Sequence, residues 1–182
     1  MPPACATGTE RSGKRAPGSN IEEALTVSTP EDRLEALHLH LPGAPVPVAS
    51  YVRATRSGNL IFTSGQLPSV SGVIHRTGLV GAEVSVEDAC DDARTAGLNA
   101  LAVLKAELGE LSRVRRIVKL TGFVASAPGF TAQPKVVNGA SDLMVEVFGE
   151  AGRHARSAVG VAGLPLGATV EIELVAEIDP EA

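Results

Sequence analysis

Aromatic side chains are nearly missing from this sequence, which has no Trp, one Tyr and four Phe in 182 residues. Base stacking on single-stranded nucleic acid needs aromatic platforms, so that class is disfavoured, and the core has to come from Val, Leu, Ile and Ala. Basic charge is also short, with 16 Lys and Arg against 21 Asp and Glu for a formal balance of −5. Binding through phosphate contacts requires an electropositive face, and residues 1–28 do not conceal one, because Arg11, Lys14 and Arg15 are offset by Glu10, Glu22 and Glu23. The two cysteines, Cys5 and Cys90, form no CxxC or Cys/His cluster. Neither a disulfide framework nor a zinc site is expected, and a cytoplasmic location fits. There is no run of about 18 apolar residues and no apolar segment in the first 20, so neither a membrane span nor a secretory signal is expected. GxGxxG, Walker A, HExxH and GxSxG are absent as well.

What is present reads as one α+β domain with additions at its N-terminus. Residues 1–28, rich in Pro, Gly, Ser, Thr and charge, are expected to be a disordered extension or a partner-binding tail. Residues 29–44 read as a helix and a Pro-rich linker. Thr29 is the N-cap, Pro30 the first helical position, and Glu31 and Asp32 sit near the positive end of the dipole. Leu34, Leu37 and Leu41 form its apolar stripe, and Pro42, Gly43, Pro45 and Pro47 end it.

From residue 45 to 182 the pattern is that of the main domain. Val48–Thr55 and Asn59–Thr63 predict a hairpin around Arg56-Ser57-Gly58, and 65–84 a loop with an extended piece at Val73-Ile74. Ser85 and Asp88 open a long helix whose buried stripe runs Val86, Cys90, Ala93, Gly97, Leu101, Leu104 and Leu108. Cys90 in that stripe reads as a small hydrophobe rather than a reactive thiol. A strand at Val114–Ala125, a helix at Pro134–Glu150 weakened by Gly139, a strand at Ser157–Ala162 and a strand at Thr169–Ile178 complete the order ββ(β)αβαββ. Helices on one face of a mixed sheet are the simplest packing of that order.

Few side chains look chemical. Arg113, Arg115, Arg116 and Lys119 read as a solvated strand entrance, and His38, His40 and His75 as surface residues. Arg156 precedes an apolar strand, where a partly buried guanidinium needs an anion. Glu171 or Glu173 could supply it through strand pairing, and a bound small carboxylate could do so instead.

Tyr51-Val52, Ser57-Gly58-Asn59-Leu60-Ile61-Phe62-Thr63-Ser64-Gly65-Gln66-Leu67-Pro68, Ala155-Arg156-Ser157, Leu164-Pro165 and Val170-Glu171-Ile172-Glu173 together resemble the RidA (YjgF-type) family of imine deaminases. The resemblance implies a chorismate-mutase-like α+β fold with two main helices on one face of a mixed sheet. It also implies a homotrimer with a cleft at each subunit interface, and hydrolysis of 2-imino or enamino acids such as 2-aminoacrylate and 2-iminobutanoate to 2-keto acids and ammonia, without metal or organic cofactor. By the same resemblance Arg156 binds the substrate carboxylate, Glu171 positions or activates water, Tyr51 lines the cleft and the Ser64-Gly65 backbone lies against substrate. Asn138 corresponds to an asparagine near the pocket. Ala158 stands where related deaminases often carry Cys, leaving only a backbone N–H there. The competing expectations are a carboxylate-binding trimer without turnover, or a biosynthetic accessory. A ribonuclease or translation inhibitor is disfavoured by the acidic balance and the scarcity of aromatics.

Overall fold

The computed structural model describes residues 28–44 and 50–180. The expected N-terminal extension up to residue 27, Cys5 with it, and the start of the first strand at Val48 lie outside the described residues.

Helix α1 (Pro30–Ala36) begins as expected, with Thr29 and Asp32 forming a reciprocal capping box. It ends sooner than its stripe suggests. His38 takes a left-handed φ of 55° and Leu39 N–H bonds back to Leu34 O at 2.9 Å, so Leu34 is buried in the core while Leu37 is exposed. Glu31 Oε1 accepts from Leu111 N–H at 2.6 Å, which ties this helix to the body of the fold.

Strands β1 (Ala54–Ser57) and β2 (Leu60–Thr63) form the first hairpin. Its turn is Gly58-Asn59, not Arg56-Ser57-Gly58, because Ser57 pairs with Leu60. Gly58 alone of the two has positive φ, 59°, the pattern of a II′ turn with Gly at the first central position. A second small hairpin joins β3 (Ser69–Val70) to β4 (Val73–Ile74) within the expected loop. Asn99, almost fully buried, donates to the carbonyls of Leu67 and Ser69 and so anchors this loop on the next helix.

Helix α2 (Val86–Leu108) is capped by Ser85, whose Oγ accepts from Asp88 N–H. Asp88 Oδ2 bonds the Ser85 hydroxyl instead of the backbone, so only half of a capping box forms. The buried face includes Ala93, Gly97, Leu101, Leu104 and Leu108 as expected, and also the carboxylate of Asp92. That carboxylate accepts from Thr169 Oγ1 and Arg76 Nη1, both at 2.6 Å, which fastens α2 to the last strand and to the loop before it.

Strand β5 runs Val114–Ala125, α3 Gln133–Phe148, β6 Ala155–Val161 and β7 Val170–Ile178. The main sheet has the order β1-β2-β7-β5-β6, antiparallel except for the parallel β5/β6 pair joined through α3. Val170, Ile172, Leu174, Ala176 and Ile178 are buried in the core with α2 and α3, while Glu171, Glu173, Val175 and Glu177 point to the opposite face. No helix among the described residues is long and apolar enough to cross a membrane.

Gly139, expected to weaken its helix, is a requirement of the packing. A Cβ there would collide with the carbonyl oxygen of Cys90, where α2 and α3 touch backbone to backbone. Gly139→Ala is expected to destabilise the fold by about 1–3 kcal/mol, the usual cost of overpacking. A thermal melt matching wild type would contradict that close contact. Burial at this contact also pushes the Cys90 thiol up, in keeping with an inert cysteine.

Candidate functional site

Arg156 is the second residue of β6 and is exposed. Its strand partner is Leu120 of β5, a core residue, so its side chain leaves the sheet on the helix side. There Nη1 donates to Asn138 Oδ1 at 2.8 Å and to Ser141 Oγ at 3.1 Å, both on α3. Both Nη1 hydrogens are thereby used. By the planar geometry of a guanidinium, Nε–H and Nη2–H remain as a side-on edge, the fork that takes a carboxylate bidentately. An open pocket of about 300 Å³ adjoins it, with His154 and Asp142 also in its wall.

Glu171 is the second residue of β7 and is half-buried. It receives no hydrogen bond among the described residues and packs its carboxylate onto Gly65. A Cβ at Gly65 would overlap Glu171 Oε1. Burial pushes the Glu171 carboxyl up from the ordinary glutamate range, and the Glu173 charge adds to this. Gln66 fixes the loop beside it. Its backbone bridges Ile172 in both directions, and its Nε2 donates to the Ser64 and Gly65 carbonyls at 3.0 and 3.1 Å. Ser64 Oγ donates to Val52 O at 2.6 Å, and Ser64 N–H to Arg53 O. Tyr51, 54% exposed, directly precedes Val52 and Arg53 in the chain.

The expected partnership of Arg156 with Glu171 or Glu173 through strand pairing does not form. β5 lies between β6 and β7. Arg156 aligns with Leu120 and Leu174, whereas Glu171 aligns with Phe123 and Val159 on the other face. Arg156 therefore has an amide and a hydroxyl as partners, not a carboxylate, and it is exposed rather than partly buried. The sheet separates two groups of candidate residues. Arg156 and Asn138 lie on the helix side, and Gly65, with Ser64 before it, meets Glu171 at the opposite face. Ala158 pairs with Gly122 and packs against the core, two residues along β6 from Arg156.

A family model described as "YjgF/chorismate mutase-like, putative endoribonuclease" matches residues 31–178. The chain belongs to the YjgF/RidA family. Protein TCP17 of Trypanosoma cruzi is 47% identical over 80% of this chain and 92% of that protein. A 2-iminobutanoate/2-iminopropanoate deaminase of Dermatophagoides farinae is 35% identical over 76% and 93%. Among solved structures, the protein Atu1372 of Agrobacterium tumefaciens, of unknown function, is 53% identical over 82% of this chain and 92% of its own, with a TM-score of 0.77. The chorismate-mutase-like fold, with its mixed sheet and helices, is thereby established for this family member.

Three residues of this YjgF/RidA chain escaped the sequence reading as parts of the site: Ser141, His154 and Gln66. The first two are legible only once α3 is laid against β6, since 15 residues of sequence separate Ser141 from Arg156. Gln66 stood inside a quoted motif, and its buried amide gives that motif its physical reason. Among the described residues no group of three or more His, Cys, Asp or Glu is arranged to hold a metal ion. A larger cavity of about 640 Å³, between α1 and α2, shares no residue with either half of the site. Gly65→Ala is expected to leave a folded protein with the Glu171 carboxylate displaced. Activity should fall at least about tenfold, because misplacement by about 1 Å is costly. Unchanged turnover in a folded Gly65→Ala variant would contradict the contact.

Proposed function

We propose that the protein is a hydrolytic deaminase of small 2-imino and enamino acids, acting as a homotrimer whose sites form between subunits. The observation that carries this reading is the division of the candidate residues by the sheet. Among the described residues, Arg156 leaves a carboxylate-binding edge without a partner on one face, and Glu171 is a half-buried carboxylate that receives no hydrogen bond on the other. One copy cannot bring them to one substrate, but the Arg156 side of one copy facing the Glu171 side of another can. The open sheet face supports self-association, with Phe62 37% and Val159 43% exposed on it. The deaminase name carried by relatives of this family points to the same chemistry.

In this reading the Arg156 edge holds the substrate carboxylate and the Ser64-Gly65 backbone lies alongside. Ionised Glu171 takes a proton from water as its oxygen bonds to the imine carbon and returns it to nitrogen; it then takes the hydroxyl proton as the C–N bond breaks and the C=O forms, and passes that proton to the departing ammonia. An iminium acid and water become a 2-keto acid and ammonium. An enamine enters the same path once its carbon is protonated.

An endoribonuclease reading gains no support from the basic run. Arg116 pairs with Glu177 at 2.7 Å, Arg115 lies 3.8 Å from Glu177 and 3.7 Å from Asp179, and Arg113 donates to Leu108 O. The test is to generate 2-iminobutanoate or 2-aminoacrylate in situ and follow its decay. Decay faster than buffer supports the reading. Decay at the buffer rate, even with Arg156-dependent binding of 2-ketobutanoate, would make the protein a carboxylate binder and overturn it.

A further inference from the structure

We infer that His154 is a positioning residue for Arg156, acting through the Ser141 hydroxyl, and that its protonation state sets how firmly Arg156 is held for an anionic ligand. The ligand part rests on the proposed role of Arg156 in binding carboxylates. The coupling itself rests on geometry alone.

His154 Nδ1 lies 2.6 Å from the Gly152 carbonyl oxygen, which can only accept, so Nδ1 carries a hydrogen. In the neutral ring Nε2 is then an acceptor, and Ser141 Oγ, 3.1 Å away, donates to it. The same Oγ accepts from Arg156 Nη1. The hydrogen bonds therefore run in one direction, from Arg156 to Ser141 to His154 to Gly152. Asn138 holds the other Nη1 hydrogen, so the two α3 side chains together fix the rotation of the guanidinium.

A proton added at Nε2 reverses the middle link. Ser141 Oγ then receives from both sides, and its own hydrogen must turn away. The imidazolium also comes to lie one side chain from a second cation. Of the pocket-lining residues only Asp142 is a carboxylate, while Arg153 is a further cation already engaged by Glu150. Glu146 of α3 is taken by Arg94, and Lys119 of β5 pairs across from Ala155. Histidine side chains in general change charge between about pH 5 and 8, so that is the range to scan for this link.

The experiment follows the Arg156 side-chain Nε–H resonance by ¹⁵N NMR on the full chain from pH 5 to 8, assigned by its disappearance in Arg156→Ala. In wild type it should move with the same midpoint as the His154 ring, and in Ser141→Ala and His154→Gln it should stay still. The Gln variant keeps an acceptor for Ser141 but does not titrate. In the imine assay its KM, whatever its level, should be the same at both ends of the range, while wild-type KM rises about threefold or more toward pH 5.5. His154→Ala should raise KM at pH 8 with little change in kcat. A His154 ring that does not titrate in this range, an Arg156 resonance that stays still while it does, or one that still moves in Ser141→Ala overturns the coupling. A protein that shows the coupling but no imine turnover would refute the deaminase reading and leave this inference standing.

Discussion

Arg156→Ala is expected to lower kcat/KM for 2-iminobutanoate about 10²- to 10³-fold, with most of the loss in KM. The free Nε and Nη2 donors on one edge of the guanidinium offer two charge-assisted hydrogen bonds to a carboxylate. Such bonds contribute roughly 1.5–3 kcal/mol each, and about 1.4 kcal/mol is a tenfold change. Little stability should be lost, because Arg156 is exposed and, among the described residues, bonds only Asn138 and Ser141. Arg156→Lys should recover only part of the activity, since a lysine offers a point charge without a fork. Steady-state kinetics on both variants, with thermal melts beside them, is the check. A KM within twofold of wild type for Arg156→Ala would remove Arg156 from the site.

Glu171→Gln should act on kcat instead, lowering it about 10²- to 10⁴-fold, the usual range for a general base. The pH dependence follows from the raised carboxyl. In the proposed role the ionised form of Glu171 does the work, so activity is expected to rise with pH through a value above the ordinary glutamate range. Glu173→Gln should move that acid limb downward by removing a neighbouring negative charge. Stability runs the other way. The folded state holds the Glu171 proton more tightly than the unfolded chain, so the group favours folding most strongly below the ordinary glutamate range. That contribution is lost as pH rises through the raised folded value. At pH 8 the Gln variant should therefore melt at or above wild type, with the gap closing at low pH. A Glu171→Gln enzyme of normal kcat, or an acid limb that ignores Glu173→Gln, would exclude the base role.

Local signals carried much of the fold. Val114–Ala125 was bounded by its β-branched run and the Ser-Ala-Pro-Gly after it, and Thr29 and Ser85 announced their helices by capping chemistry. What local signals could not give was lateral order. Arg156 and Glu171 sit in strands that follow one another in sequence, which suggested that they pair. The parallel β5–α3–β6 crossover instead puts β6 outside β5, and β7 returns on the far side. Lateral order separates the two strands, and register then sets the faces: Arg156 is level with Leu174, three residues from Glu171, so with period two they face opposite sides. Gly139 misled for a related reason: propensity counts a helical glycine as weak, whereas the Cys90 carbonyl packed against it is a tertiary contact. The buried Asp92, tied to Thr169 and Arg76, was hidden inside an otherwise small-residue stripe.

The central claim is that each site takes Arg156 from one copy and Glu171 from another. Mixing tests it most directly, by co-refolding equal amounts of Arg156→Ala and Glu171→Gln chains, each expected to be nearly inactive alone when assayed with 2-iminobutanoate well below the wild-type KM. In a heterologous ring of randomly mixed subunits, about one quarter of the interfaces pair an intact Arg156 with an intact Glu171, so imine turnover should return to about one quarter of wild type. Mixed assemblies that stay as inactive as either parent would contradict the account.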